Sequence, residues 1–339
     1  MSFDVTALGT HIDERAEEMK TVLKMGYPSA GLFDTLEGVA GGSTVKMPKL
    51  TQSIVESART CATRADNGTT AVAQYSITAY ALEYTTEWCA ETMRNTFVNK
   101  YWTRNATDKT KDLQQTAFFS QIATNLQDEI MQRQEIGTWQ SVKTISVPQG
   151  YPAVGAAGFD EYDGILRTID AASGVVDQQT VAGTTQTEIT SANVIDTFTK
   201  HAQVMPVLLR QHPDTRTFCG WDVFYLLVQA YQNSNLYNYY PTTQQIEAGE
   251  ITLPNGLKVK ALMGLNSSNA PAVANAQMAQ RIISTRWNTN IVEAVEAVNE
   301  MASPETWYDK KDKKVYFEAP FTRGFAVVYG EEIVSYKNV

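Results

Sequence analysis

Apolar and polar positions follow different periods in different stretches of the chain, and the changes of period mark its organisation. Residues 44–83 hold two extended runs, TVKMPKLTQSIVES and TTAVAQYSITAYALEY, rich in Thr, Val, Ile and Tyr. Between them, ARTCATRADNG ends in Asn67-Gly68, a dipeptide suited to the positive-φ positions of a tight turn. The segment therefore reads as a long hairpin. Its side chains are mostly small and polar, so it lacks an apolar face of its own. A hairpin without such a face is marginal in water and reads as one that lies on another molecule.

The pattern then turns helical. In TTEWCAETMRNTFVNKYW, Cys89, Met93, Phe97 and Tyr101 recur at i+4 steps, with Glu87 and Glu91 near the start and Lys100 and Arg104 at the end. That charge order complements a helix dipole. Asp112-x-x-Gln115 resembles a capping box and opens the longest helical stretch, DLQQTAFFSQIATNLQDEIMQRQEIG. Phe119, Ile122, Leu126 and Ile130 form its apolar stripe, and Gly137 is its expected stop. At 1.5 Å per residue such a helix is a rod of roughly 38 Å. Its apolar face is expected to lie on a sheet that includes the C-terminal strands.

Elsewhere the elements are shorter. Asp13 to Met25 predicts a short helix whose stripe is Met19, Val22 and Leu23, too little to stand alone in water. Gly38, Gly41 and Gly42 break regular structure after it, so the N-terminal part reads as an extended arm. PQGYPAVGAAG at 148–158 reads as a linker and residues 170–190 as a polar loop. Helices are expected at 191–205 and 221–234, and strands at 281–285 and 289–293. LPNGLKVKALMGL combines a turn with an alternating strand, and the C-terminus reads as a hairpin around Asp309–Lys314 followed by long β runs. Helices and strands intermingle without a βαβ series, so the fold class is α+β.

Composition narrows the function. The 339 residues, 43% of them hydrophobic and 19% charged, supply a packed core and exclude a wholly disordered chain. The formal net charge of −9 argues against a high-affinity nucleic-acid binder, which would carry a basic excess. Cys61, Cys89 and Cys219 are an odd number with no C-x-x-C spacing, which argues against a disulfide framework or a thiolate zinc site. The polar N-terminus lacks the apolar region of a signal peptide, and no apolar run approaches 18 residues. A soluble protein made in the cytoplasm is expected.

Candidate chemistry is thin. His11, His201 and His212 lie far apart without metal-binding spacing and read as packing or surface groups. There is no G-x-S-x-G, Walker A or G-x-G-x-x-G motif. Asp160-Glu161-Tyr162-Asp163-Gly164 lacks the later ligands of a calcium loop. Glu17-Glu18 and Glu331-Glu332 read as solvated acids, and Lys310, Lys311, Lys313 and Lys314 as a solubilising hairpin tip. Trp88, Trp102 and Trp139 read as core or interface residues on helices. No catalytic, cofactor-binding or metal-binding residue is assigned, no cofactor is expected, and the chain reads as a non-enzyme.

The order of the elements carries a resemblance that no single motif does. An arm, a polar hairpin, a long one-sided helix, a linker, an irregular α+β lobe and closing strands resemble the tailed-phage major capsid proteins of the Hong Kong 97 type. ITAYALEYTTEWCAETMRNTFVNKYW looks like their E-loop exit and following helix, in particular those of phages infecting Bacteroidetes-type hosts. FFSQIATNLQDEIMQRQEIGTWQ looks like their spine helix, and FDEYDGIL like their Phe-Asp-Gly-Leu passage with Glu161 and Tyr162 inserted. STRWNTNIVEAVEA and ETWYDKKDKKVYFEAPFTRGFAVVYGEEIV resemble their closing strands, although Val292-Glu293-Ala294 stands where the relatives usually have Gly-Thr-Asp.

The resemblance implies an N-terminal arm at 1–43, an E-loop hairpin at 44–83, and a P-domain with the spine helix at 84–158. It implies an A-domain at about 159–294 and return strands at 295–339. It further implies self-assembly through hexamers and pentamers into an icosahedral shell around packaged double-stranded DNA, within a virion put together in the bacterial cytoplasm. The expected partners are copies of the chain itself, a separate scaffolding protein, a portal and decoration proteins, with no membrane. Lys46 and Lys49 lie in the hairpin, where one founding member of the type crosslinks a lysine, but plain solvated or ion-paired lysines are expected here. The alternatives are an encapsulin-type compartment shell and, in another class, an enzyme using unrecognised carboxylates.

Overall fold

A computed structural model describes residues 28–52, 70–89, 117–143, 159–179, 187–234, 241–267, 279–296, 305–309, 311–312 and 314–338. Its frame is the 14-residue strand β12 (Lys314–Val327). Along Lys314–Arg323 this strand pairs antiparallel with β4 (Tyr80–Cys89), and its first residues also pair with β11 (Glu305–Asp309). Its last residues pair with β10 (Ile291–Ala294), which takes the short β1 (Asp34–Leu36) in parallel. A separate two-stranded ribbon joins β2 (Thr44–Gln52) to β3 (Thr70–Thr78), with Thr44 opposite Thr78 and Gln52 opposite Thr70.

The second sheet runs in the order β5 (Val176–Asp177), β13 (Val334–Lys337), β9 (Arg281–Arg286), β6 (Thr215–Gly220), β8 (Lys258–Leu262) and β7 (Glu250–Thr252). Both of its faces are covered. On one, Cys219, Ile282 and Val334 meet Phe198 and Ala202 of one helix and Val223, Phe224 and Leu227 of another. On the other, Phe218, Ile283 and Leu262 meet Trp139 and the apolar side of a short helix, Ile165, Leu166 and Ile169. Neighbours such as Phe218 and Cys219 thus enter opposite cores, so the buried stretch Thr217–Gly220 of β6 shows no polar–apolar alternation.

The long helix α1 spans Ala117–Gln140, about 36 Å at 1.5 Å per residue. It is followed by α2 (Ile165–Ala171), α3 (Val194–Val204), α4 (Val207–Gln211) and α5 (Trp221–Asn233). The helices expected at 191–205 and 221–234 are α3 and α5. Ile130 is buried and Leu126 half-buried, both beside β4 and β12 as the stripe requires; the side chains of Phe119 and Ile122 lie outside the described residues. Past Ile130 the helix goes on burying polar groups: Gln134, Glu135, Thr138 and Gln140 are all inaccessible.

Several expectations need correction. The helix expected from Thr85 is strand up to Cys89, because Tyr80–Trp88 alternates strictly between half-buried and exposed positions. Leu82, Tyr84, Thr86 and Trp88 share one face, a period-two pattern that the later i+4 recurrence masked. Met93, Phe97 and Tyr101 lie outside the described residues, as does the capping box at Asp112. The run TTAVAQYSITAYALEY is not one strand but two, β3 on β2 and β4 on β12, divided at Ala79. Gly137 does not stop α1. It lies inside the helix, where Tyr162 passes so close that a Cβ would meet its hydroxyl at 2.8 Å.

The arm expected over residues 1–43 is anchored in its described part. Leu32 and Phe33 enter the core around Trp139, and Val39 packs with Ile77, Ala79, Val292, Ala294 and Ala326. The hairpin, read as having no apolar face, buries one at its base: Ile77 is fully inaccessible, and Val45 and Tyr75 pack against the same cluster.

Candidate assembly surfaces

A nucleophile–base constellation exists among the described residues, built from positions 178, 201 and 284 that no sequence motif links. Ser284 Oγ lies 2.8 Å from His201 Nε2, and Gln178 Oε1 lies 2.6 Å from His201 Nδ1. Thr217 shares a hydrogen bond with Ser284 at 2.7 Å, and Gln178 donates to the Thr197 carbonyl. His201 and Ser284 are fully buried, so no substrate reaches them. Burial pushes the imidazole down to about 3, which keeps it neutral in use. The group is a satisfied polar bridge between α3 and the sheet.

The other candidates resolve similarly. No group of three or more potential metal ligands occurs among the described residues. Asp163 accepts the Lys143 backbone N–H at 2.9 Å, so the acidic segment 160–164 fastens a turn. Cys219 is buried and free, its thiol pushed up chiefly by burial. His212 stands near Asp214 at the surface, 3.8 Å away. Lys314 pairs with Glu87, and Asp309 accepts the Lys311 N–H at the expected hairpin tip. Trp88 is on strand β4, not a helix, whereas Trp139 is fully buried on α1 as core. His11, Glu17, Glu18, Cys61, Trp102, Lys310 and Lys313 lie outside the described residues. No helix among those residues is long and apolar enough to cross a membrane.

What the geometry does organise is a stiff frame and a projecting ribbon. In the frame, the Trp139 indole donates to Ser29 Oγ at 2.7 Å, and Ser29 donates its hydroxyl and its backbone N–H to Glu135 at 2.8 and 2.9 Å. Gly264 N–H adds a longer bond at 3.4 Å. Burial pushes the Glu135 carboxyl above its ordinary range, opposed by these hydrogen bonds and by the Arg323 guanidinium. Nearby, Arg323 forms a buried pair with Glu293 at 2.9 Å and donates to Thr138 Oγ1 at 2.9 Å. Glu293, the odd residue of Val292-Glu293-Ala294, is thus the partner of Arg323. These contacts tie α1 to β10, β12, the segment before β1 and the turn at Met263–Leu265.

The ribbon differs. Leu50 and Val72 face each other directly across β2 and β3, yet are 55% and 68% exposed. Trp307 and Tyr316 likewise stack across β11 and β12, with Trp307 exposed. Val207 and Leu208 on α4 are also bare. Between α1 and the β4–β12 ribbon opens a cleft of about 810 Å³, lined among others by Leu82, Tyr84, Leu126, Ile130, Phe317 and Phe321. Among the described residues, Leu50, Val72 and Trp307 are large exposed apolar side chains on cross-strand pairs, and Tyr316 is half-buried. Sequence reading missed both pairs, since each depends on a register that the sequence alone does not set.

No protein-family model matches the sequence, and no curated protein does. Solved structures do match in fold. A chain of the satellite phage P4 procapsid including size determination (Sid) protein aligns with a TM-score of 0.52 at 10% identity, over 95% of this chain and 98% of that one. A chain of Mycobacterium phage Ogopogo aligns with a TM-score of 0.51 at 9% identity, over 90% of each. The capsid of Myoviridae phage XM1 aligns with a TM-score of 0.50 at 14% identity, over 91% and 90%. The chain has the fold of these phage capsid chains.

Proposed function

We propose that this chain is the major capsid subunit of a tailed bacteriophage, of the Hong Kong 97 type, and that its function is to assemble a closed shell. The observation that carries the reading is fold likeness over nearly the whole length of capsid chains, with no large part of either left over. On this reading residues 1–43 are the N-terminal arm and 44–83 the E-loop. Residues 84–158 are the P-domain with α1 as its spine, 159–294 the A-domain, and 295–339 the return to the P-domain.

The mechanism is association. Each subunit places its hairpin across a neighbour, where the exposed Leu50–Val72 pair leaves water, while the polar-buried end of α1 keeps the subunit's own parts in register. Apolar burial stabilises by about 25 cal/mol per Å², so contacts too small to hold a dimer sum to a stable shell when every subunit makes several. Copies of the chain in hexamers and pentamers are the main partners. A separate scaffolding protein, a portal, decoration proteins and enclosed double-stranded DNA complete the proposal, with assembly in the bacterial cytoplasm and a Bacteroidetes-type host suggested by the sequence resemblance. Electron microscopy of the protein expressed with and without its flanking genes tests it: closed shells of uniform size are expected, and tubes or small oligomers only would sink it.

A further inference from the structure

The β2–β3 hairpin is attached at two places of very different strength. At its base, Gly42 adopts φ 81°, a left-handed conformation that favours glycine, and its N–H binds the Ala79 carbonyl at 2.8 Å. Ile77, Ala79, Val45 and Tyr75 pack there into the cluster under β10 and β12. Further out along β2, Lys49 and Leu50 meet the turn after β12. Lys49 Nζ lies 3.4 Å from each carboxylate oxygen of Glu331 and 4.6 Å over the Tyr329 ring. The Tyr329 hydroxyl donates to the Leu50 carbonyl at 3.4 Å.

The receiving turn is stiff. Asn290 accepts the Tyr329 N–H at 2.7 Å and donates to the Tyr329 carbonyl at 2.9 Å, and Glu332 forms a two-pronged pair with Arg286. The hairpin side is soft: its bonds to the turn are long, and Glu331 is 57% exposed. A firm post, a weak catch and a glycine-bearing base make a device that can open. The catch holds the backbone at Leu50, the residue whose side chain points outward with Val72.

We infer that Lys49, Tyr329 and Glu331 form an intramolecular clasp that holds the hairpin on its own subunit and competes with its engagement of a neighbouring copy. The inference rests on the reading of the hairpin as an assembly arm. Opening the clasp frees the hairpin to swing; closing it stores the subunit in a form less ready to assemble.

Charge reversal tests it in the full-length protein, as Lys49→Glu, Glu331→Lys and the two together. Two quantities are read: hydrogen exchange of the β3 amides in dilute subunit, and the threshold concentration for assembly by light scattering. Each single reversal should speed β3 exchange severalfold and lower the threshold severalfold, and the double variant should return both towards wild type. Tyr329→Phe, which removes only the hydroxyl, should move both the same way by less. Unchanged exchange in the single variants would show that no clasp exists. Faster exchange with an unchanged threshold, or a double variant that does not recover, would overturn the competition. A wild type that assembles under no condition while exchange responds as expected would instead overturn the shell reading on which the inference rests.

Discussion

The C-terminal half of α1 and the outer half of the β2–β3 hairpin are built on opposite terms. Around α1, polar groups are taken out of water and matched: Trp139 to Ser29, Ser29 to Glu135, and Arg323 to Glu293 and Thr138. In the outer part of the described hairpin, apolar groups stay exposed to water although they face each other, as Leu50 and Val72 show. Buried polar contacts have strict geometry and a high penalty for mismatch, so they fix one arrangement within a subunit. Exposed apolar pairs are tolerant of geometry and gain from any complementary cover. The first region specifies the fold; on the proposed shell function, the second leaves a stabilisation to be gained between copies.

If this contrast is right, substitutions in the two regions should fail in different ways. The largest effect is expected from Arg323→Met, which leaves Glu293 as a buried, unpaired charge. Urea unfolding should show a loss of about 3–5 kcal/mol, most of it recovered by adding Glu293→Met. Trp139→Ala should cost a comparable amount, about 3–5 kcal/mol, and in both cases folded subunit should be lost before assembly can be measured. A variant at either position with wild-type stability would break the comparison.

Glu135→Gln sharpens it through pH. Because burial raises the carboxyl in the folded state, folding favours the protonated form. The stability linked to this group is therefore fully present below the ordinary carboxyl range and is lost as pH rises through the raised value. Unfolding measured from about pH 4 to 7.5 should show a wild-type stability that falls with pH relative to Glu135→Gln. A difference between the two that does not vary with pH would mean that burial does not govern this carboxyl.

In the hairpin the expected result is inverted. Leu50→Ser with Val72→Ser should change subunit stability by no more than about 0.5 kcal/mol, yet raise the concentration needed for assembly or abolish it. Equal damage to folding and assembly would show that the ribbon belongs to the core after all. The smallest effect is expected at the tip of the β11–β12 hairpin, where Lys311→Gln should leave unfolding and assembly as they are; a shift in either would assign that tip a role.

The parts legible in the sequence were those where one face is dry and the other wet. The α1 stripe, the two lobe helices, the strand at Lys258–Leu262 and the hairpin at Asp309–Lys314 all carry a period or a turn signal. Illegible were elements whose neighbours come from far along the chain. β6 lies between two cores, so Thr-Arg-Thr-Phe-Cys-Gly shows no alternation to read. Gly137 looked like a helix stop because nothing local reveals that Tyr162 occupies the space beside it. The Glu135 cluster was invisible for the same reason: Ser29 and Gly264 lie 106 and 129 positions away. In the candidate surfaces, the residue types were plain, but the facing of Leu50 by Val72 required the register.

The proposed shell function meets its most direct test in sedimentation velocity and electron microscopy of the full-length protein across a concentration series, alone and co-expressed with its flanking genes. A sharp threshold above which closed particles of one size form, with free subunit below it, is the expected result. A subunit that stays monodisperse at every concentration and in both expression contexts would contradict it.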